Sequence, residues 1–127
     1  MSVIDTSTLM AILLNEPEAK VFVDYLETAD IVIPASVLVE AAMVAISRGK
    51  KKNLDDLIES LESLIMPLDD AIAQKAIIAY ERYGKGRHKA SLNFGDCLVY
   101  ATAKHLNLPL LFKGNDFIHT DVLPALA

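Results

Sequence analysis

Hydrophobic and polar positions follow two rhythms along this chain. Residues 2–5, Ile31-Val32-Ile33-Pro34 and Leu108-Pro109-Leu110-Leu111-Phe112 are nearly continuous apolar runs, the pattern of strands buried on both faces of a parallel sheet. Between them, apolar residues recur at helical spacing. A helix is predicted from Ser7, a candidate N-cap, through about Leu14, and a second over 17–28 with Val21, Phe22, Tyr25 and Leu26 on one face. A third runs from Ser36 to Arg48 and stops at Gly49. Leu54, Leu57, Ile58, Leu61, Leu64 and Ile65 line one face of a fourth. Met66-Pro67-Leu68 is a candidate short strand. Asp69 or Asp70 caps a helix to about Tyr83, a polar loop covers 84–93, and a last helix spans Phe94 to His105. Strands alternating with helices predict an α/β fold over a single domain, residues 1–127.

Composition narrows the class. A hydrophobic fraction of 53% in 127 residues supports one substantial core and excludes disorder. The apolar stretch from Ile31 to Ile46 is broken by Pro34, Ser36 and Glu40, so no membrane span is expected. The N-terminus lacks the features of a signal peptide, and the single cysteine, Cys97, excludes an internal disulfide framework and a thiolate-rich zinc site. A reducing cytoplasm is the expected address. A net charge of −5 argues against a protein held to nucleic acid by field alone.

Four acids sit where charge is costly. Asp5 directly follows Val3-Ile4, Glu40 lies inside VLVEAAMVAI, Asp96 inside NFGDCLVYATA, and Asp116 just beyond LPLLF. Each has a purely structural reading: a helix cap for Asp5, an ion pair with Arg48 or an outward orientation for Glu40, a dipole-favoured early-turn acid for Asp96, a turn residue for Asp116. Together they point elsewhere, because functional groups of parallel sheets gather beyond the carboxyl ends of strands. Two carboxylates about 4 Å apart repel by about 4 kcal/mol at an effective dielectric of 20, so a cluster needs a shared proton or a cation. Oxygen donors without Cys or His favour Mg²⁺ or Mn²⁺, which activates water and binds phosphate oxygens. Hydrolysis of a phosphodiester is the expected chemistry.

VIDTSTLMAILLNEPEA, RHKASLNFGDCLVYATAKHLNLPLLFKGNDF and the isolated Glu40 between them make the chain resemble the PIN-domain family, specifically the VapC-type toxin ribonucleases. The resemblance implies a PIN-like three-layer fold, with a short, mostly parallel central sheet flanked by helices. It also implies a catalytic, metal-binding quartet of Asp5, Glu40, Asp96 and Asp116. Ser7, and less directly Thr6, would orient Asp5; Asn115 stands beside Asp116, and Asp121 is a candidate outer-shell substitute. The implied partners are an RNA substrate, a VapB-like antitoxin and a second copy of the chain.

Among the basic residues, Lys85, Arg87, His88 and Lys89 precede the Asp96 helix and are candidates for phosphate contact, as is Lys113. Arg48 and Lys50 to Lys52 read as a solvated patch at a helix end. Two alternatives stand beside the nuclease: a phosphoacceptor receiver domain, and a catalytically silent module of the same fold. The receiver needs an acceptor Asp at a central strand end, where this chain offers Glu40 on a helix. A degenerate module is expected to have lost an acid, and all four are present.

Overall fold

The computed structural model describes residues 1–126. Among them the chain forms β1 (Ser2–Ile4), α1 (Thr6–Leu13), α2 (Ala19–Leu26), β2 (Ile31–Pro34) and α3 (Ala35–Ser47). It continues through α4 (Lys51–Leu61), β3 (Leu64–Met66), α5 (Asp70–Tyr83), α6 (Phe94–Leu106) and β4 (Leu110–Leu111). The strands pair in the order β3-β2-β1-β4, every pair parallel, and helices flank the sheet. The continuous apolar runs are buried as their pattern predicts: Val3, Ile4, Val32, Ile33, Leu110 and Leu111 are at most 1% exposed. Each such side chain contributes about 1.5–3 kcal/mol by leaving water.

Two elements depart from the expected pattern. Leu64 and Ile65 do not extend the α4 face. Glu62 adopts a left-handed conformation at φ 49° and ends the helix, and Leu64-Ile65-Met66 then pairs with Val32-Ile33-Pro34. The apolar spacing of α4 continues past its end, but hydrogen bonding to β2 outweighs that local periodicity. The strand is therefore Leu64–Met66 rather than Met66 to Leu68. The other departure is at the start of α1, where Asp5 rather than Ser7 is the N-cap. Gly49, at φ +68°, supplies the left-handed residue that stops α3 after Arg48.

The topology decides where a site can form. From β1 the sheet grows outward through β2 and β3, and then α5 and α6 return the chain to the other side of β1. The direction reverses between β1 and β4, and the crevice beyond their carboxyl ends is where open parallel sheets bind ligands. Asp5 ends β1, and the loop holding Asp116 follows β4. As a crossover helix, α6 runs against the strands, which brings its first turn, with Asp96, to the same edge.

Candidate functional site

At the end of β1, the Asp5 N–H donates to the Leu111 carbonyl at 3.0 Å and joins the two strands across the switch point. Its side chain is 7% exposed. Oδ2 accepts two bonds from Ser7, from the backbone N–H at 3.2 Å and from the hydroxyl at 2.6 Å. The structural reading of Asp5 as a helix cap is therefore correct as far as it goes. Asp5 is the single residue between the strand and the helix, and Asp caps as well as Ser does. Ser7 sits inside the first turn instead. Its Oγ also accepts the Lys113 N–H at 3.0 Å, so one hydroxyl ties the Asp5 carboxylate to the loop after β4. Burial raises the Asp5 pKa, the Ser7 bonds oppose the rise, and the charge of Glu40 adds to it.

Glu40 is exposed, not enclosed by the apolar residues around it in sequence. Val37 and Ala41 turn into the core, while Val39 and Met43 stay on the outer side with it. It makes no pair with Arg48, which is the C-cap of α3. Its Oε1 accepts a hydrogen bond from the Thr6 hydroxyl. The Thr6 side chain, expected to support Asp5, thus serves Glu40, because side chains of adjacent residues diverge at the strand-to-helix corner. Its backbone N–H still helps to hold the Asp5 carboxylate charged.

Asp96 is the third residue of α6 and forms a capping box with Asn93. Its N–H donates to Asn93 Oδ1 at 2.9 Å, and its Oδ2 accepts the Asn93 N–H at 3.1 Å. A well-made cap normally favours the carboxylate. Here its pKa is pushed up to about 6, first by burial and then, against the Asn93 bond, by the charges of Asp116, Asp5 and Glu40. These couplings put all four acids, from four segments of the chain, in one electrostatic neighbourhood. No basic side chain figures among the causes for Asp5 or Asp96. Asp116 itself lies in an exposed turn anchored by Phe117, which is 1% exposed and packs edge-on against Phe112 at 5.2 Å. Asn115 is exposed in the same turn.

As they stand, no three acidic, histidine or cysteine side chains among the described residues converge closely enough to hold one ion. The donor set nevertheless fits a hard divalent cation. It is all oxygen, it has no basic ion-pair partner among the described residues, and two of its members, Glu40 and Asp116, are exposed to solvent. Gly95 leaves room for Glu40, since a Cβ there would lie 3.1 Å from its Oε2.

Asp121 does not join the site. It accepts bonds from the Tyr100 hydroxyl and from Lys104 Nζ at 3.3 Å, with Arg82 at 3.9 Å. Burial alone would raise its pKa, but the Tyr100 and Lys104 bonds outweigh that and hold it below the usual carboxylate range. Tyr100 and Lys104 are one and two turns down α6 from Asp96, so Asp121 staples the C-terminal segment to the far half of that helix. Its nearness to Asp116 in sequence misleads because the intervening chain runs away from the crevice.

The loop before α6 is ordered by its own hydrogen bonds. Across it the Lys85 N–H donates to Leu92 O and the Leu92 N–H to Tyr83 O, each at 2.9 Å. Lys85, Arg87 and Lys89 project outward from it. His88 is half-buried and structural: its Nδ1 accepts the Ala90 N–H at 3.0 Å, and its ring meets Tyr83 edge-on. Lys113 already has partners, Glu16 at 3.0 Å and Glu18 at 3.6 Å. No signal in the sequence announces that contact. The Asn93 cap, by contrast, was readable in Asn93-Phe94-Gly95-Asp96, a polar cap residue followed three positions later by an acid. Lys51 and Lys52 pair with Asp55 and Asp56 at 2.7 and 2.9 Å, as a solvated patch does.

A model of the PIN domain matches residues 2–123. The chain belongs to the PIN-domain family. A VapC ribonuclease of Mycobacterium bovis and ribonuclease VapC28 of Mycobacterium tuberculosis are each 42% identical to this PIN domain. Each alignment covers 98% of the chain and 97% of the relative. Among solved structures, the sarcin-ricin loop cleaving toxin VapC20 of M. tuberculosis superposes with a TM-score of 0.78 at 12% identity, covering 97% of both chains. VapBC2 of Rickettsia felis, bound to a promoter DNA fragment, gives 0.74 at 16% identity, covering 97% of this chain and 95% of that one. At those identities the structures speak for the fold. The family match removes the receiver-domain alternative, and the sheet order and helix positions agree with the PIN-like fold.

Proposed function

We propose that this PIN domain is a Mg²⁺- or Mn²⁺-dependent endoribonuclease and the toxin of a toxin–antitoxin pair. The observation that carries this reading is the gathering of Asp5, Glu40, Asp96 and Asp116 at the β1/β4 switch point, with Asp5 and Asp96 raised in pKa and no basic side chain among the causes. The ribonuclease names of its relatives support the substrate class. A divalent cation bound there supplies a Lewis acid for the scissile phosphate and lowers the pKa of water. The chain's own part is to hold the donors. Asp5 is fixed through Oδ2 by Ser7, Asp96 by its capping box, and Glu40 and Asp116 approach from α3 and from the turn after β4. Lys85, Arg87 and Lys89, exposed on the loop leading into Asp96, would take phosphates flanking the cleaved bond. Lys113 joins them only by leaving Glu16 and Glu18.

In-line attack of water on the phosphorus, with the 3′ oxygen leaving, gives a 5′-phosphate and a 3′-hydroxyl. RNA cleavage is expected to stop in EDTA and return with Mn²⁺ or Mg²⁺. Undiminished cleavage in chelator, or a 2′,3′-cyclic phosphate product, refutes the mechanism.

The partners are proposed on the same footing. Val39, Met43 and Ile46, each at least 58% exposed, form an apolar stripe beside Glu40 on α3. A VapB-like antitoxin tail lying on that stripe would bring an Arg to the acids, whose bidentate geometry suits the guanidinium fork. An antitoxin lacking its tail is then expected to fail to neutralise cleavage. Phe94, 80% exposed, stands with Ile77 and Tyr80 on an apolar face of α5 and α6 that supports a homodimer, which sedimentation tests.

A further inference from the structure

Glu40 is one of the two exposed acids of the four, on a helix and at the end of a flexible side chain. Two features nevertheless set its carboxylate. Its Oε1 accepts the hydroxyl of Thr6, a residue only 9% exposed and held in the first turn of α1. Its Oε2 lies over Gly95, 3.1 Å from where a Cβ would stand and 3.6 Å from the same point to Asn93 Oδ1. Gly95 has no left-handed backbone angle that would require glycine, and it lies inside a helix, where glycine is unfavourable. Local conformation therefore gives no reason for a glycine here, whereas the approach of Glu40 does.

We propose that Thr6 and Gly95 are positioning residues for Glu40, the first gripping one carboxylate oxygen and the second leaving the space into which the other reaches toward Asp96. The inference rests on the metal-nuclease reading. Thr6 follows Asp5 and Gly95 precedes Asp96, so two dipeptides each combine a ligand with a guide for the third acid. In this way α3 contributes a ligand without any anchor of its own. Outer-shell groups of this kind typically change metal affinity by about 10–100-fold.

The test is Mn²⁺ titration calorimetry on the full chain, with melting in EDTA and cleavage at low and saturating Mn²⁺. Thr6→Val, which keeps shape and removes the hydroxyl, is expected to weaken Mn²⁺ about tenfold, and Thr6→Ser to retain most of the affinity. Gly95→Ala is expected to melt at or above the wild-type temperature in EDTA, because Ala favours the helix and Glu40 can swing aside, yet to bind Mn²⁺ more weakly. Cleavage by Thr6→Val and Gly95→Ala should recover at saturating Mn²⁺. In a Glu40→Ala background, which removes the acceptor, Thr6→Val should cause no further loss. Wild-type Mn²⁺ affinity in both Thr6→Val and Gly95→Ala, with Glu40→Gln weakened, overturns the positioning role and leaves the nuclease reading standing. Loss in Thr6→Ser equal to that in Thr6→Val overturns the hydroxyl's part. A wild-type chain that binds no Mn²⁺ overturns both.

Discussion

Asp96→Asn is the sharpest probe of the site, because it opposes two effects of different size and pH dependence. Asn can still accept the Asn93 N–H, so the capping bond survives while one negative charge leaves the crevice. A carboxyl moved from 3.8 to about 6 is penalised as an anion by about 3 kcal/mol, at about 1.4 kcal/mol per pH unit. Asp96 is only half-buried, and solvent screening reduces this to about 1–2 kcal/mol. Against it stands the interaction of a negative charge with the α6 N-terminus, about 0.3–1 kcal/mol. The net gain from the substitution in metal-free protein near pH 7.5 is then about 1 kcal/mol, or about 3–5 °C in Tm for a domain of this size.

The sign with pH follows from the raised pKa. Wild-type stability from this group is fully present below 3.8, where folded and unfolded carboxyls are both protonated, and is lost as pH rises through about 6. The advantage of Asp96→Asn should therefore be present at pH 7.5 and vanish near pH 4. The assay is thermal unfolding by circular dichroism in EDTA at both pH values, read as the difference between variant and wild type so that other carboxylates cancel. Adding Mn²⁺ should reverse the ranking, since wild type gains more binding free energy as stability. A variant that melts below wild type by the same amount at both pH values refutes the reasoning and makes Asp96 a helix cap and nothing more.

Asp5→Asn should melt in EDTA at or slightly above the wild-type temperature, because an amide oxygen in place of Oδ2 keeps both Ser7 bonds, while cleavage falls by orders of magnitude. Intact cleavage with a metal-independent loss of stability would make Asp5 a cap alone. Ser7→Ala removes the hydroxyl shared by Asp5 and the Lys113 N–H, and should cost about 1–2 kcal/mol in denaturant unfolding together with weaker cleavage. Asp121→Asn should lower stability by up to about 1 kcal/mol through its exposed Lys104 and Arg82 pairs, with Mn²⁺ affinity unchanged in calorimetry. A loss of Mn²⁺ binding there would return Asp121 to the site.

Some of this protein could be determined from the sequence by itself, because burial and periodicity are properties of short segments. Val3-Ile4 and Ile31-Val32-Ile33 could only be central strands, and an acid directly after the first of them was conspicuous because desolvating a charge is costly wherever the strand is placed. The same cost singled out Asp96 among core residues. Partnership across elements was a different matter, since it depends on how crossovers bring separate helix faces together. Only the tertiary structure turned the Thr6 hydroxyl toward Glu40, carried Asp121 down α6 to Tyr100 and Lys104, and gave Lys113 to Glu16 and Glu18. It also converted Leu64 and Ile65 from a helical stripe to an edge strand, because hydrogen bonds to Val32 and Ile33 satisfy a backbone that local spacing cannot. The chemistry of the acids was local and legible; their arrangement was not, because the order of strands around the switch point is decided by packing of the whole chain.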